Sequence, residues 1–143
     1  MAILMALAAF LTTPAHAADF AAHIHHIDPP QKAPPLVFED AEGSQHALSD
    51  YRGRYVLLNI WATWCSPCVR EMPSLESLQK LFGPQLTVLP LSEDRGENTV
   101  SVFYTRHSLL SLPVAVDHAG IAPSALNLKG LPTTLLIDPQ GFE

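Results

Sequence analysis

Apolar residues come in short blocks along this chain, and their spacing switches between strand-like and helix-like. Tyr55-Val56-Leu57-Leu58-Asn59-Ile60-Trp61 is almost wholly apolar and is bounded by Gly53 and Arg54, which predicts a strand buried on both faces. Leu75, Leu78, Leu81 and Phe82 then recur at helical spacing until Gly83-Pro84, a glycine suited to a helix C-cap followed by a residue that cannot continue the helix. Leu86 to Leu91 predicts the next strand, interrupted near its end by Pro90. Beyond the 92–96 loop, Val100, Phe103, Tyr104 and His107 fall at i, i+3, i+4 and i+7, a stripe expected to face the core. A short strand over 114–116, a short helix over 121–126 that Asn127 can end in a left-handed conformation, and a strand over 133–137 complete the series. Ahead of the central strand, 36–38 and the segment after Gly43 read as a hairpin with 39–43 as its turn. Strands alternating with helices predict an α/β sheet.

Composition narrows the function. The net charge is −6 and there are only eight Lys plus Arg, too few to neutralise a nucleic-acid backbone. The two cysteines, Cys65 and Cys68, lie in one C-x-x-C motif, with no thiol elsewhere. They stand between the central strand and the helix, so the pattern places them at a helix N-terminus. Unpaired backbone N–H groups there favour negative charge, and thiolate is the reactive form of cysteine. Cys65 reads as the attacking, more exposed sulfur. Cys68, a helical turn further on, reads as the resolving one, closing an internal disulfide after a mixed-disulfide intermediate. Pro67 fits the first helical turn, where its missing N–H costs nothing. Half of a zinc site is the bland alternative, but zinc needs four ligands and no His pair at finger-like spacing accompanies the cysteines.

The run Asn59-Ile60-Trp61-Ala62-Thr63-Trp64-Cys65-Ser66-Pro67-Cys68-Val69-Arg70-Glu71-Met72-Pro73 resembles the active-site segment of the extracytoplasmic TlpA/ResA-like thiol-disulfide oxidoreductases, a branch of the thioredoxin-like superfamily. Gly130-Leu131-Pro132-Thr133-Thr134-Leu135-Leu136-Ile137-Asp138 is similar to the cis-proline segment of that family. The resemblance runs from about Pro34 to the last residue and implies a thioredoxin-like fold with an added N-terminal β-hairpin. It implies a cis Leu131–Pro132 bond, with Trp64, Leu131 and Pro132 contacting an extended substrate segment. Pro132 also leaves no room for a metal. Asn59 stands where thioredoxin itself has a buried aspartate; it reads either as a polar residue packed at a strand end, the favoured reading, or as a residue with a catalytic role. Glu71 shares the helix face of Cys68. It either complements the helix dipole or takes the proton of Cys68, and its match to the glutamate of the ResA-like site favours the second. No cofactor and no metal are implied, since the redox group is the Cys65–Cys68 pair itself.

Residues 1–17 read as a signal peptide: Met1 to Leu11 is apolar and Ala15-His16-Ala17 has the form of a signal-peptidase site. Read as uncleaved, the same stretch would be a signal-anchor tethering the protein to a membrane, although a span needs roughly 20 apolar residues. Residues 18–35 are a His- and Pro-containing flexible lead-in, and 36–143 the thioredoxin-like domain. Asp138-Pro139-Gln140-Gly141 is a β-turn after which Phe142 begins a hairpin partner. The family continues with the rest of that strand and a C-terminal helix, so the domain is expected to be truncated before them.

The resulting expectation is a periplasmic or otherwise extracytoplasmic enzyme that reduces disulfides of exported client proteins, by resemblance those of cytochrome c or copper-site maturation. Its electrons would come from a membrane thiol donor. A copper-binding metallochaperone using Cys65, Cys68 and the His23, His25, His26 cluster is the alternative, since two thiolates suit Cu(I). Sco-like copper chaperones, however, have three residues between their cysteines. A peroxiredoxin-like peroxidase would want a Pro and a Thr ahead of a lone cysteine, and only Thr63 is in place.

Overall fold

The structure, a computed structural model, describes His25 and residues 27–143. The expected signal segment over 1–17 and the histidines His23 and His26 lie outside the described residues. Strands β1 (Val37–Glu39), β2 (Gln45–Ala47), β3 (Tyr55–Trp61), β4 (Leu86–Ser92), β5 (Ala115–Val116) and β6 (Thr133–Ile137) form one sheet in the order β2-β1-β5-β4-β3-β6. Strands β3, β4 and β5 run parallel, β6 and β1 join them antiparallel, and β2 pairs antiparallel with β1. Helices α1 (Ser66–Phe82), α2 (Glu97–His107) and α3 (Ala122–Ala125) fill the crossovers, and a 3-10 turn over Leu48–Tyr51 leads from β2 towards β3.

Strand β3 is buried on both faces because its pleat feeds two cores. Val56, Leu58 and Ile60 join Leu36, Phe38, Leu48, Leu89 and Ala122 on one side, whereas Trp61 joins Met72, Leu75, Val100 and Tyr104 on the other. Leu58, Ile60 and Trp61 have no exposed surface, and burial of each such aliphatic side chain contributes roughly 1.5–3 kcal/mol. The aromatic ring of Trp61 is held 5.2 Å from Phe103 and 5.9 Å from Tyr104. The base of the motif is thereby fixed by α2. Pro90 is tolerated because β5 pairs only with Leu91 and Ser92, one residue beyond it.

Three expectations change in detail. The stripe on α2 stays in the core through Val100 and Tyr104, with Phe103 half-buried against them; His107 is exposed and stacks on Phe103 at 4.2 Å, just before Ser108 ends the helix at φ 56°. On α1 the buried face is Cys68, Met72, Leu75 and Glu76, while Leu81 is 76% exposed. Six residues beyond Leu75, at about 100° per residue, Leu81 has rotated away from the sheet. The segments 114–116 and 121–126 shrink to β5 and α3, and Asn127 ends the latter at φ 49° as its type suggests. Gly83, at φ 47° and ψ −121°, takes a positive-φ conformation open to glycine and stops α1.

The turn after β6 is built by Asp138, whose Oδ1 accepts the N–H groups of Gln140 and Phe142, both at 2.9 Å. Residues 141–143 then pair with the lead-in: Glu143 N–H donates to Gln31 O at 2.8 Å, Gln31 N–H returns to Glu143 O at 3.2 Å, and Ala33 N–H donates to Gly141 O at 2.9 Å.

Candidate active site

The strand end of β3 and the start of α1 meet at the cysteine pair. Cys65 is the N-cap of α1, its extended backbone preceding Ser66 and Pro67 in the first helical turn. Its carbonyl accepts the Val69 N–H at 3.0 Å, and its Sγ accepts the Cys68 N–H at 3.4 Å. A helix-start N–H therefore points at the outer sulfur, the arrangement that stabilises a thiolate. Cys65 and Cys68 are joined in a disulfide. Cys65 keeps 7% of its surface, and Cys68 keeps none. An incoming thiolate or disulfide can approach only the outer sulfur.

The turn that delivers Cys65 is anchored from β4. Asp94, nearly buried, accepts the Thr63 N–H at 2.8 Å and the Thr63 hydroxyl at 2.7 Å, and takes a third bond from the Ser92 hydroxyl at 2.7 Å. The Glu93 N–H donates to Trp61 O at 2.8 Å. These bonds fix residues 61–65 from below, leaving the Trp64 side chain 70% exposed above them.

Glu71 lies one turn beyond Cys68 on α1, half-buried. Burial pushes its carboxyl above the usual range, opposed by a hydrogen bond from Asn59. That bond, Asn59 Nδ2–H to Glu71 Oε1, is 2.7 Å long, and the same amide group donates to Thr134 Oγ1 at 3.0 Å. The β3–β6 register sets Asn59 opposite Thr134. Asn59, fully buried, is thus an orienter of the Glu71 carboxyl as well as a packed strand residue, a link that needs a contact twelve residues along the chain and is invisible to local pattern.

The Leu131–Pro132 bond is cis, and Leu131 packs against the core cluster that contains both cysteines. Trp64 and Leu131 together line an open groove of about 700 Å³, whose other walls include Glu93, Arg95, Pro123 and Lys129. Pro132 lies beside this groove in sequence without lining it, and Cys65, Cys68 and Glu71 do not line it either; Trp64 is the residue that joins it to the motif. Sequence reasoning passes over Glu93, Asp94 and Asp117. Glu93 and Asp94 sit in what reads as a polar loop, and only the buried position of that loop at the strand ends would have singled them out. Of the histidines considered for copper, His25 is described and is exposed. Among the described residues no three His, Cys, Asp or Glu side chains are placed to hold a metal ion. No described helix is long and apolar enough to cross a membrane.

A mixed sheet that presents a cysteine pair at a helix start, with a cis-proline loop packed beside it, defines a thioredoxin-like protein. The match to known structures agrees: a protein from Chlorobium tepidum described as a thiol:disulfide interchange protein DsbE superposes with a TM-score of 0.72 at 30% identity, covering 82% of each chain. The chain belongs to the AhpC/TSA family, whose sequence profile matches residues 29–142. It is 40% identical over 110 residues to the thiol-disulfide oxidoreductase ResA of Geobacillus kaustophilus, covering 76% of this chain and 63% of that protein. It is 37% identical over 114 residues to the thioredoxin-like protein YneN of Bacillus subtilis, covering 78% and 66%. The chain therefore spans just under two thirds of the length of these relatives.

Proposed function

We propose that the protein is a thiol-disulfide oxidoreductase that reduces disulfides in exported client proteins through a dithiol–disulfide cycle of Cys65 and Cys68. The observation that carries the proposal is the asymmetry of the pair: an outer sulfur at the N-cap, facing a helix N–H, bonded to an inner sulfur with no exposed surface. In the reduced protein the Cys65 thiolate attacks a client disulfide, forming a mixed disulfide and releasing one client thiol. Cys68 then attacks Cys65 Sγ, and Glu71, held by Asn59, takes the Cys68 proton as that bond forms. A carboxyl with a raised pKa is suited to receive a proton from a thiol and pass it on. The client lies in the groove between Trp64 and Leu131, its backbone paired with Leu131 and flanked by Pro132. By resemblance, clients belong to cytochrome c or copper-site maturation, electrons return from a membrane thiol donor, and residues 1–17 direct or tether the chain outside the cytoplasm.

The reduction potential of the Cys65/Cys68 couple tests the proposal, followed through Trp61, which packs in the same core cluster as both cysteines. A value near or below roughly −220 mV supports a reductant, whereas one near about −120 mV makes the protein an oxidant. Absence of a reversible couple overturns the cycle altogether. A Cys68→Ser variant should accumulate the mixed disulfide through Cys65, and a Cys65→Ser variant should form none.

A further inference from the structure

Glu93 and Asp94 are the groove-lining carboxyls, and the cycle above uses neither; Asp94 is tied into hydrogen bonds, whereas the surroundings of Glu93 are unusual for a glutamate. Its backbone is fixed by the bond to Trp61 O, four residues before Cys65, and its side chain lines the groove that holds Trp64 and Leu131. Its Oε1 is buried and has no hydrogen-bond partner among the described residues. The charged groups around it give no compensation. Lys129, which lines the same groove, donates to Asn127 at 3.2 Å, and among the described ion pairs neither it nor Arg95 meets Glu93. Asp94, its neighbour, is committed to Thr63 and Ser92. Asp117, at the end of β5, is 4% exposed and adds a second negative charge; its Oδ2 accepts the Ala122 N–H at 2.6 Å, and its Oδ1 is also buried without a partner.

A carboxylate left without a donor, beside another carboxylate and partly out of water, is stabilised by keeping its proton. Burial first, and the Asp117 charge second, push the Glu93 carboxyl up to about 7. The group can therefore hold a proton near neutral pH and still release it, in the groove lined by Trp64, the neighbour of Cys65, where the proposed function places the client.

We propose that Glu93 is the acid on the client side of the reaction: its carboxylic proton goes to the sulfur that the client releases when Cys65 forms the mixed disulfide. This rests on the oxidoreductase reading above and assigns the proton that reading leaves open. The Cys65 thiolate supplies the electron pair of the new S–S bond, the client S–S bond breaks, and the leaving thiolate takes the Glu93 proton to become a thiol. Glu93, now ionised, regains a proton from water. Cys68 then closes on Cys65, its own proton passing to Glu71 and on to the second client sulfur. One client disulfide is thereby reduced to two thiols as the enzyme dithiol becomes a disulfide. Glu71 serves the inner enzyme sulfur and Glu93 the departing client sulfur.

A leaving group that needs no proton should not notice Glu93. The test uses the Cys68→Ser chain, in which the reaction stops at the mixed disulfide, with and without Glu93→Gln, against glutathione disulfide and an aromatic disulfide whose leaving thiol is already strongly acidic. At pH 6, Glu93→Gln should slow the alkyl disulfide by about tenfold or more and leave the aromatic one within about twofold. With Glu93 present, the ratio of alkyl to aromatic rate should fall as pH rises through about 7; with Gln it should stay flat. Equal slowing of both disulfides would make Glu93 a structural residue and overturn the proposal, as would no slowing of either. If the parent chain reacts with neither disulfide, the oxidoreductase reading itself fails.

Discussion

Asp94→Ala removes a buried acceptor on which the entry to the motif depends. Three donors lose their partner: the Thr63 N–H at 2.8 Å, the Thr63 hydroxyl at 2.7 Å and the Ser92 hydroxyl at 2.7 Å. Hydrogen bonds to a charged acceptor contribute about 1.5–3 kcal/mol each, but the three losses differ. Hydroxyls can rotate to another acceptor or to water entering the space of the lost carboxyl, so each recovers most of its energy. The Thr63 N–H is fixed by the backbone and recovers little. One full loss and two partial ones amount to about 3 kcal/mol, a large fraction of the 5–15 kcal/mol by which domains are typically stable. With a urea slope of about 2 kcal/mol/M, the midpoint should fall by roughly 1.5 M. Asp94→Asn keeps one carbonyl oxygen and should lose about half as much. Both variants are compared with the parent in the disulfide form, so that redox state does not enter. A fall below about 0.5 M with an unchanged slope would show that these short bonds contribute little and would refute the anchoring argument.

Three further outcomes follow from the same contacts. Asn59→Ala removes the hydrogen bond that holds the Glu71 carboxyl down, leaving burial unopposed; the pH profile for release of the mixed disulfide by Cys68 should move to higher pH, and an unmoved profile would dissociate Asn59 from Glu71. Glu93 binds its proton more tightly folded than unfolded, so its ionisation destabilises the fold as pH rises from about 4.5 through about 7. A shift of this size corresponds to about 3 kcal/mol at most, and its partial exposure reduces that to about 1–2 kcal/mol; Glu93→Gln should therefore raise the melting temperature at pH 8 and leave it unchanged at pH 4. Leu58→Ala, at a position with no exposed surface in the middle of β3, should cost about 3 kcal/mol by equilibrium unfolding.

Much of this architecture can be read before any coordinates, and the parts that cannot share a cause. Strand β3 is a continuous apolar run and helix α1 carries leucines at helical spacing, so the C-x-x-C motif between them needs no tertiary information to be placed at a helix start. Strand β5, by contrast, has two residues, and two residues hold no period. Leu81 continues the leucine series at three-residue steps and yet is exposed, because three-residue steps drift around a helix of 3.6 residues per turn and carry it off the face of Leu75. At the site, Cys65, Cys68 and Glu71 announce themselves through spacing. The Asn59–Glu71 bond depends on strand and helix meeting, and the isolation of Glu93 depends on Asp117 arriving from another strand end. Local sequence carries propensities, whereas the acidity of a carboxyl is a property of what surrounds it in space.

The pairing of 31–33 with 141–143 has a mechanical consequence. If the preceding residues anchor the domain, a pull transmitted from that side does not arrive first at the hairpin or at β3. It loads the bonds between Gln31 and Glu143 and between Ala33 and Gly141, which lie beyond the hydrogen-bonded ladder joining β3 to β6. Under such a load those few bonds would be the first to open. They can open and close under a fluctuating tether while the cysteine-bearing helix start remains unstrained.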